Sequence, residues 1–323
     1  MAERRTQSLT AAIALVLVVS SICSAETWRL EKTDGWKSVS DGDRDRYLLA
    51  VSKTKELVST GQAKAAKKAF DELKTDFPDI AGPDLDIFIE AEIHFCKGNY
   101  VRAVRSYDKL LTDYPRSELR EAALDREFTI AQAYLAGRKK TVLGFIRLKG
   151  YAEGIKIMEK ISDRTGLADP NGIGLKAALA VAKSYQQRKK FEEAHLKWSE
   201  ISSQWQTGQI GKDALLSMAR CKHGIYNKQP EHRRHLYDVS CLSSAKSYYE
   251  RFQLLYPSDA KELRVAEILK EIDEQFAYKQ LAIGRYYKRT GNVQAANLYF
   301  DMVIQNWPNS EAAGMARAVP SKD

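Results

Sequence analysis

Five side chains of the kinds that bind metals lie close together in the second half of the sequence. Cys221, His223, His232, His235 and Cys241 fall within 21 residues, and thiolate and imidazole groups are the ligands that Zn²⁺ prefers. Their spacing matches none of the familiar zinc patterns, and the two central histidines flank an Arg-Arg pair in a polar segment. We therefore expect no metal site, and a metal-dependent hydrolase built on this cluster is the less favoured alternative.

The two cysteines of this group offer a second chemistry, which is a disulfide. Cys221 and Cys241 fall on the two helices of one predicted hairpin, and an exported protein would meet an oxidising compartment. A bridge needs Cα atoms within roughly 7 Å of each other, and the offset of the two residues along the helices is not fixed by the sequence. The pairing is therefore open at this point.

Motifs for nucleotide or nucleophile chemistry are missing from the sequence. Gly172-Ile173-Gly174 is a fragment of a dinucleotide-binding motif, but it lacks the third glycine and a preceding strand. The better interpretation is a turn between helices. Since there is also no phosphate loop, nucleophile elbow or His-Glu-x-x-His motif, we expect no catalytic residues and no cofactor, so that the protein is not an enzyme.

The N-terminus has the pattern of a secretory signal peptide. Arg4 and Arg5 precede an almost entirely apolar run, residues 9–19, and Cys23-Ser24-Ala25 ends on small residues that signal peptidase accepts. The favoured interpretation is cleavage before Glu26 and export. No later stretch is long and apolar enough to predict a transmembrane helix.

Cys23 also raises an alternative, because a cysteine just after an apolar run is the acylated residue of bacterial lipoproteins. Ile22 is bulky where lipoprotein signals have Gly, Ala or Ser. Cys23 is therefore a candidate for lipidation but not the favoured one.

Composition and charge narrow the class of partner. The chain has 323 residues, of which 44% are hydrophobic and 29% charged, a balance typical of globular proteins. Its formal net charge of +9 favours an acidic partner. Because an exported protein does not ordinarily meet nucleic acid, we expect no nucleic-acid partner, and an acidic protein or a lipid surface instead.

Internal repetition indicates the fold. Residues 84–115 and 277–308 carry similar residues at matching positions across 32 places, with small residues, aromatic residues and a closing proline at the same intervals. This pattern resembles the tetratricopeptide repeat, a pair of antiparallel helices. The matching pairs are Ala91 and Gly284, His94 and Tyr287, Gly98 and Gly291, Ala103 and Ala296, Tyr107 and Phe300, Leu110 and Val303, and Tyr114-Pro115 and Trp307-Pro308.

Four further, more degenerate units are predicted by the same positions. The third is interrupted by a basic and apolar insertion, residues 138–150, and the fifth by a polar loop, residues 227–239. A charged helical segment, residues 259–274, leads into the sixth unit. The resemblance implies an all-α fold, a right-handed α-solenoid of about six degenerate helical hairpins. We expect the following organisation: 1–25 signal peptide, 26–43 extended segment, 44–168 N-terminal repeat subdomain, 169–316 C-terminal repeat subdomain, and 317–323 tail.

The resemblance also implies which residues face a partner. In tetratricopeptide proteins the first helix of each hairpin lines the concave face, and the corresponding positions form two groups here. The peptide-binding candidates are Leu85, Phe88, Glu92, Phe95, Asp125, Phe128 and Gln132, and the partner-docking candidates are Lys183, Arg220, Arg285, Lys288 and Arg289. The alternative for the phenylalanines is that they only pack between repeats, as apolar stripes at helical spacing usually do.

A narrower resemblance is to the BamD (YfiO) family of outer-membrane assembly factors. It rests on the signal peptide, on Gly98-Asn99-Tyr100-x-x-Ala103, on Tyr114-Pro115-x-Ser117, and on the closing Ala282 to Ser310 segment. The resemblance implies a periplasmic scaffold associated with the outer membrane, whose N-terminal repeats bind unfolded outer-membrane β-barrel proteins and whose C-terminal repeats dock a BamA-like insertase.

The sequence departs from that family in its poor lipoprotein signal, the insertion at residues 138–150 and the loop at 227–239. Without a lipid on Cys23, the basic insertion is a candidate for peripheral contact with the inner leaflet of the outer membrane. The alternative function is a repeat scaffold in another envelope process, such as peptidoglycan synthesis or cell division.

Overall fold

The computed structural model describes residues 28–31, 35–38, 41–142 and 146–319, and the predicted signal peptide and Cys23 lie outside them. The chain divides into two compact units, one ending at Ile80 and one beginning at Ala81. The first unit contains an antiparallel hairpin and two helices: β1 (Trp28–Glu31), β2 (Gly35–Ser38), α1 (Asp41–Ser59), α2 (Ala63–Asp76) and a 3-10 helix (Pro78–Ile80). Within it the Tyr47 and Phe77 rings meet edge to face at 5.3 Å.

The second unit is a succession of helical hairpins with one small β-hairpin. Its elements are α3 (Pro83–Cys96), α4 (Tyr100–Asp113), α5 (Arg120–Leu135), β3 (Lys139–Val142), β4 (Ile146–Lys149), α6 (Tyr151–Thr165), α7 (Ile173–Gln187), α8 (Phe191–Gln204), α9 (Gly208–Asn227), a 3-10 helix (Glu231–Leu236), α10 (Ser240–Leu255), α11 (Pro257–Glu262), α12 (Val265–Arg289), α13 (Val293–Asn306) and α14 (Glu311–Arg317). The predicted all-α array of hairpins is confirmed.

Small residues allow the two helices of a hairpin to approach closely, as the pattern predicts. Ala91 and Ala103 are completely buried between α3 and α4. At Gly284 a Cβ atom would lie 2.7 Å from the Phe300 ring, a distance that no side chain tolerates. The alternation of small and aromatic residues is therefore a packing requirement.

The closing prolines end the second helices through the residue that precedes them. A residue before proline is kept out of the helical region by contact with the proline ring. The four residues in this position adopt nearly the same non-helical backbone, with φ near −130° and ψ near 60°: Phe77, Tyr114, Tyr256 and Trp307.

The core continues across the predicted boundary between residues 168 and 169. Ile161 on α6 belongs to the same buried cluster as Ala177 and Val181 on α7. The division into N-terminal and C-terminal repeat subdomains stays a prediction, because continuous packing does not show separate roles.

Three features were not predicted from the sequence. Residues 26–43 were expected to be an extended segment, but they contain the β1–β2 hairpin. The insertion at residues 138–150 contains a β-hairpin in which Lys139 pairs with Lys149 and Val142 with Ile146. A further short helix, α14, follows the sixth hairpin and buries Ala312, Ala313 and Ala316 against it. It covers the apolar face that the end of a repeat array would otherwise expose.

The turn after the first helix of a hairpin requires a left-handed residue. In five hairpins the residue that follows the left-handed one donates its backbone N–H to the carbonyl oxygen five residues earlier. This hydrogen bond closes a Schellman motif. The left-handed position is glycine in four of them, with φ between 71° and 106°, and Lys189 in the fifth, with φ 56°. The glycines are Gly61, Gly98, Gly137 and Gly291.

We predict that Lys189→Gly stabilises the protein, because a non-glycine residue in the left-handed region costs about 1–2 kcal/mol and glycine returns part of this in unfolded-state entropy. The expected gain in the free energy of unfolding is about 0.5–1 kcal/mol, measured by urea denaturation. Gly291→Ala is the matched control and should have the opposite sign. A Cβ atom at Gly291 meets nothing within 4 Å, so only backbone strain acts there. Equal effects of the two changes would contradict this account.

A cluster of charged side chains, with Glu127 buried and the others partly exposed, joins α4, α5 and α6. The carboxylate of Asp108 accepts hydrogen bonds from Lys160 Nζ at 2.5 Å and Arg164 Nη1 at 2.8 Å. Glu127 is only 1% exposed, and its Oε2 atom lies 3.5 Å from Arg164 Nη1. Burial and the nearby Asp108 carboxylate raise the pKa of Glu127 to about 8, against the opposing effect of Arg164 and Lys160.

We predict that this carboxyl group makes stability depend on pH. Between its ordinary pKa near 4.5 and about 8, the folded protein keeps a proton that the unfolded chain releases, so stability falls as pH rises through this window. Each unit of difference corresponds to about 1.4 kcal/mol. Glu127→Gln should therefore lose less thermal stability than wild type between pH 5 and pH 8, whereas Glu118→Gln, at an exposed site, should follow wild type. Parallel losses in all three proteins would contradict the prediction.

Candidate functional site: a cationic pocket in the last hairpin

A cavity of about 360 Å³ lies beside the last hairpin of the second unit. It combines cationic side chains with an apolar wall and draws them from four parts of the chain. Its lining residues are His235 from the loop after α9, then Tyr278, Ala282, Arg285, Lys288 and Arg289 from α12, Phe300 from α13 and Val319 after α14. We call this cavity the cationic pocket.

Helix α12 presents most of the cationic pocket from one face. Tyr278, Ala282, Arg285 and Arg289 follow one another at intervals of four, three and four residues, the spacing that places side chains in a row along a helix. The small Ala282 leaves the space between the larger side chains open. The Phe300 ring forms part of the wall because Gly284 allows α13 to approach α12 closely.

Helix α14 positions the C-terminal wall of the cationic pocket. The carboxylate of Glu274 on α12 accepts hydrogen bonds from the backbone N–H groups of Glu311 at 2.8 Å and Ala312 at 2.9 Å. Ser310 Oγ accepts a third from Ala313 N–H at 3.0 Å. A carboxylate at a helix N-terminus satisfies free N–H groups and opposes the positive end of the helix dipole. The chain after α14 is thereby held where Val319 reaches the pocket.

The polar loop at residues 227–239 contributes His235 to the lining. Lys279 Nζ on α12 donates hydrogen bonds to the carbonyl oxygens of His235 at 3.1 Å and Tyr237 at 2.7 Å. The His235 ring meets the Tyr278 ring edge to face at 5.7 Å. Burial, together with the charge of Lys279 and the neighbouring His232, lowers the pKa of His235, which favours the neutral imidazole at neutral pH.

The charged side chains that the described residues contribute to the cationic pocket are all of positive sign. Arg285 and Arg289 contribute two positive charges beside Lys288, which already has an interaction partner, and no acidic side chain belongs to the lining within the part of the chain that the structure describes. Arg285 Nη2 donates a hydrogen bond to a neutral group in the neighbouring helix, Met315 Sδ, at 3.4 Å. The pocket therefore suits an anionic ligand that also carries an apolar group.

The sequence predicted these three cations as docking residues, and the structure brings them together. It does not bring Lys183 and Arg220 to the same place, since both are exposed on α7 and α9 and neither lines the pocket. His235, Tyr278 and Val319 were missed. Tyr278 lies four residues before Ala282 on the same face of α12 and could have been predicted from that spacing. His235 and Val319 reach the pocket through packing of the loop and of the chain after α14, and such packing leaves no periodic pattern in the sequence.

Glu92 requires a correction. It was expected in a peptide-binding groove, but it is 3% exposed and already fully bound. Arg126 donates to its two carboxylate oxygens at 2.8 and 2.9 Å, and Tyr107 Oη donates to Oε1 at 2.5 Å. Burial and the adjacent carboxylate raise the pKa of Tyr107 above its ordinary range, so it remains a donor. Glu92 therefore joins α3 to α4 and α5, and a buried ion pair of this kind is not available to a ligand.

The aromatic candidates are largely used in packing. Phe88, Phe95 and Phe128 are half-buried against the core of the second unit. The Phe95 ring stacks on Tyr100 at 5.4 Å and lies 4.7 Å below the Arg126 guanidinium. Leu85 is buried. Of the peptide-binding candidates only Asp125 and Gln132 are exposed, so the packing interpretation describes most of this group.

The Cys/His cluster is dispersed in the structure. Cys221 is buried and free, burial raises the pKa of its thiol to about 12, and Cys241 is also unbridged. His223 lies with Nε2 2.9 Å from Asn227 Nδ2 inside the fold. Within the described residues no three or more potential ligands come together as a metal site would require. Gly172 immediately precedes α7, where the sequence predicted a turn between helices.

Comparison with known proteins bears on the repeats alone. Residues 280–310 match the tetratricopeptide repeat family model, and these residues include much of the cationic pocket. The chain thus contains a tetratricopeptide repeat within an all-α solenoid of helical hairpins. A search of curated proteins found no match.

Solved structures resemble the chain only distantly. The C-terminal part of a tetratricopeptide repeat-containing protein from Cytophaga hutchinsonii is 14% identical, with 85% of this chain and 96% of that chain covered and a TM-score of 0.35. A tetratricopeptide repeat protein from Parabacteroides merdae is 15% identical, with coverages of 84% and 97% and a TM-score of 0.32. PilW, a type IV pilus biogenesis factor, is 19% identical, with coverages of 87% and 100% and a TM-score of 0.27. Likenesses this weak carry no functional argument.

Across the described part of the chain, no helix has the length and apolar character needed to cross a membrane.

We predict that Lys279 fixes the loop wall of the cationic pocket. Lys279→Met keeps the length of the side chain and removes both hydrogen bonds to the loop, so residues 231–237 should exchange their amide hydrogens faster, by about tenfold if about 1.4 kcal/mol of local stability is lost. The global unfolding temperature should change little. Lys270→Met, at an exposed position of the same helix, is the control and should leave exchange in the loop unchanged. Unchanged exchange in Lys279→Met would show that other contacts hold the loop.

Proposed function

We propose that this protein is a non-enzymatic scaffold of the bacterial envelope that joins other proteins in β-barrel assembly. The observation that carries the proposal is the cationic pocket, a one-sided positive site with an apolar wall in the last hairpin of a helical array. Helical arrays of this kind act by presenting a rigid surface, and a rigid site loses little conformational entropy when it binds.

The C-terminal repeats are proposed to dock a BamA-like insertase. Arg285, Lys288 and Arg289 supply the positive charge, and the apolar wall supplies burial for a side chain of the partner. The exposed cations Lys183 and Arg220 lie on α7 and α9, apart from the pocket, and their charge would speed association with an acidic partner at low salt.

The N-terminal repeats are proposed to receive unfolded outer-membrane β-barrel proteins. Asp125 and Gln132 are exposed on α5, and the half-buried rings of Phe88 and Phe128 show part of their surface. This is a smaller apolar surface than the sequence predicted, which favours weak and reversible binding of a client that must later leave.

The location that fits this role is the periplasm, at the inner leaflet of the outer membrane. The β3–β4 hairpin supports a peripheral contact there, because Lys139, Leu148 and Lys149 are exposed. Its base is anchored by Arg138, whose guanidinium lies 4.1 Å from the Tyr100 ring centre and donates to Tyr100 Oη at 2.9 Å. A basic and apolar projection of this kind suits an anionic lipid surface.

Photocrosslinking in cells tests the proposal. A photoreactive residue placed at Asp125 is expected to capture β-barrel precursors, and one at Arg285 is expected to capture the insertase. Lys67, exposed on α2, serves as the control position and should capture neither. Recovery of peptidoglycan synthases or division proteins from Asp125 and Arg285 would replace barrel assembly with another envelope process.

A further inference from the structure

The base of the β3–β4 hairpin is fixed to the neighbouring helices. Arg138, just before β3, stacks on an aromatic ring of α4, and Lys140 Nζ donates a hydrogen bond to Glu153 Oε2 on α6 at 2.5 Å. At Gly150, directly after β4, a Cβ atom would overlap the Tyr134 ring on α5. These contacts hold the base of the hairpin against three helices.

Two lysines at this base are turned away from the helices. Lys139 and Lys149 pair directly across the two strands and are both exposed. Like charges in directly opposite positions of a sheet are destabilising, because their Cβ atoms lie only about 4.5–5.5 Å apart. Among the residues that the structure describes, neither lysine has an acidic partner, since the nearby Glu153 is paired with Lys140. The lysine pair is therefore suited to an anion that binds both ammonium groups.

The sequence around the lysine pair strengthens this preference. Residues 138–149 contain five basic residues and no Asp or Glu. The positive charge of the hairpin is thus not balanced within its own segment, and charge complementarity requires an anionic partner.

The two ends of the hairpin differ in chemistry. Val142 and Ile146 pair at the far end, three residues along the strand from the lysine pair. Because a strand advances about 3.3 Å per residue, the basic pair and the apolar pair are about 10 Å apart. Leu148, next to Lys149, is 53% exposed. The hairpin therefore changes from basic at its base to apolar at its far end.

An anionic bilayer surface has the same order of chemistry over a similar distance. Its phosphates attract basic side chains, and segments that lie in the interface bury their apolar groups about 5–10 Å into the boundary between headgroups and acyl chains. Free phosphate would satisfy the lysine pair and leave the apolar end of the hairpin in water. The combination of the two ends favours a lipid surface.

We propose that the β3–β4 hairpin enters an anionic bilayer surface with its far end first, so that Lys139 and Lys149 bind lipid phosphates while the Val142–Ile146 pair lies deeper, at the acyl boundary. This inference rests on the proposed location at the outer membrane, and it specifies which residues make the contact and how deep they lie. The fixed base transmits the attachment to the helices of the array.

Vesicle co-sedimentation tests the role of the lysines, with the chain that signal cleavage before Glu26 would leave. The protein is expected to bind phosphatidylcholine vesicles that contain phosphatidylglycerol and to bind pure phosphatidylcholine vesicles much less. Lys139→Gln and Lys149→Gln should each lower partitioning into the anionic vesicles about fivefold, the effect of one basic side chain at such a surface. Lys183→Gln removes the same charge at an exposed position of α7 and should have little effect.

A fluorescent amino acid incorporated in place of Val142 tests the depth. Its emission should shift to the blue on anionic vesicles and should be quenched by lipids brominated in their acyl chains, because the far end of the hairpin leaves water. Inorganic phosphate should cause no shift. The same amino acid in place of Lys183 is the control and should show neither change. Circular dichroism and the unfolding temperature establish that each variant is folded.

Three results would overturn the inference. Equal partitioning into neutral and anionic vesicles, or equal losses in Lys183→Gln and Lys139→Gln, would show that the lysine pair binds no lipid phosphate. Absence of quenching at position 142 would show that the far end stays outside the bilayer. Binding of soluble polyglutamate that depends on the two lysines and exceeds vesicle binding would identify an acidic protein as the partner instead.

Failure of the proposed function has a different signature. Vesicle binding and quenching as described, with no barrel precursor or insertase captured by crosslinking in cells, would reject barrel assembly and leave the membrane contact in place. Capture of those proteins by a chain that does not bind anionic vesicles would reject the membrane contact alone.

Discussion

The close approach of two helices within each hairpin is the constraint on which the rest of the structure depends. Ala91 packs against α4 with its side chain completely buried, and Gly284 leaves no room for even one carbon atom beside the Phe300 ring. With the helices this close, an aromatic residue fills the space to the next unit and a proline ends the second helix. The pocket follows from the same contact, since Phe300 reaches its wall only because Gly284 admits it.

Most of the fold was predictable because the structure of each repeat is determined mainly by contacts within its own sequence. Each hairpin is shaped by its small residues, its left-handed turn glycine and its proline, which all contact neighbours within the same hairpin. Their spacing in the sequence therefore predicts their positions in the structure. The insertion at residues 138–150 and helix α14 could not be predicted in the same way. The first depends on a two-stranded pairing in a sequence without strand alternation, and the second on Glu274, which lies 37 residues before its hydrogen-bond partner Glu311.

The candidate site was predictable only in its helical part. Arg285, Lys288 and Arg289 were found because they interrupt a repeat pattern with charge. Glu92 misled for the opposite reason: its position predicts exposure, but Arg126 from the next hairpin turns that position into a buried ion pair. A repeat pattern predicts the direction in which a side chain points. It does not predict which side chain of the next hairpin will contact it. His235 was considered as a metal ligand and instead forms a wall with Tyr278.

The folding of helix α14 couples ligand binding in the cationic pocket to the stability of the last hairpin. A helix of seven residues has no stability of its own in water, so it forms only while Glu274 and the apolar face of α12 are in place. Hairpins at the end of a repeat array open first, and the cationic pocket lies in the last hairpin that the structure describes. A ligand that contacts both α12 and the chain after α14 would hold these two segments together. The free energy of binding would then oppose local unfolding of the last hairpin.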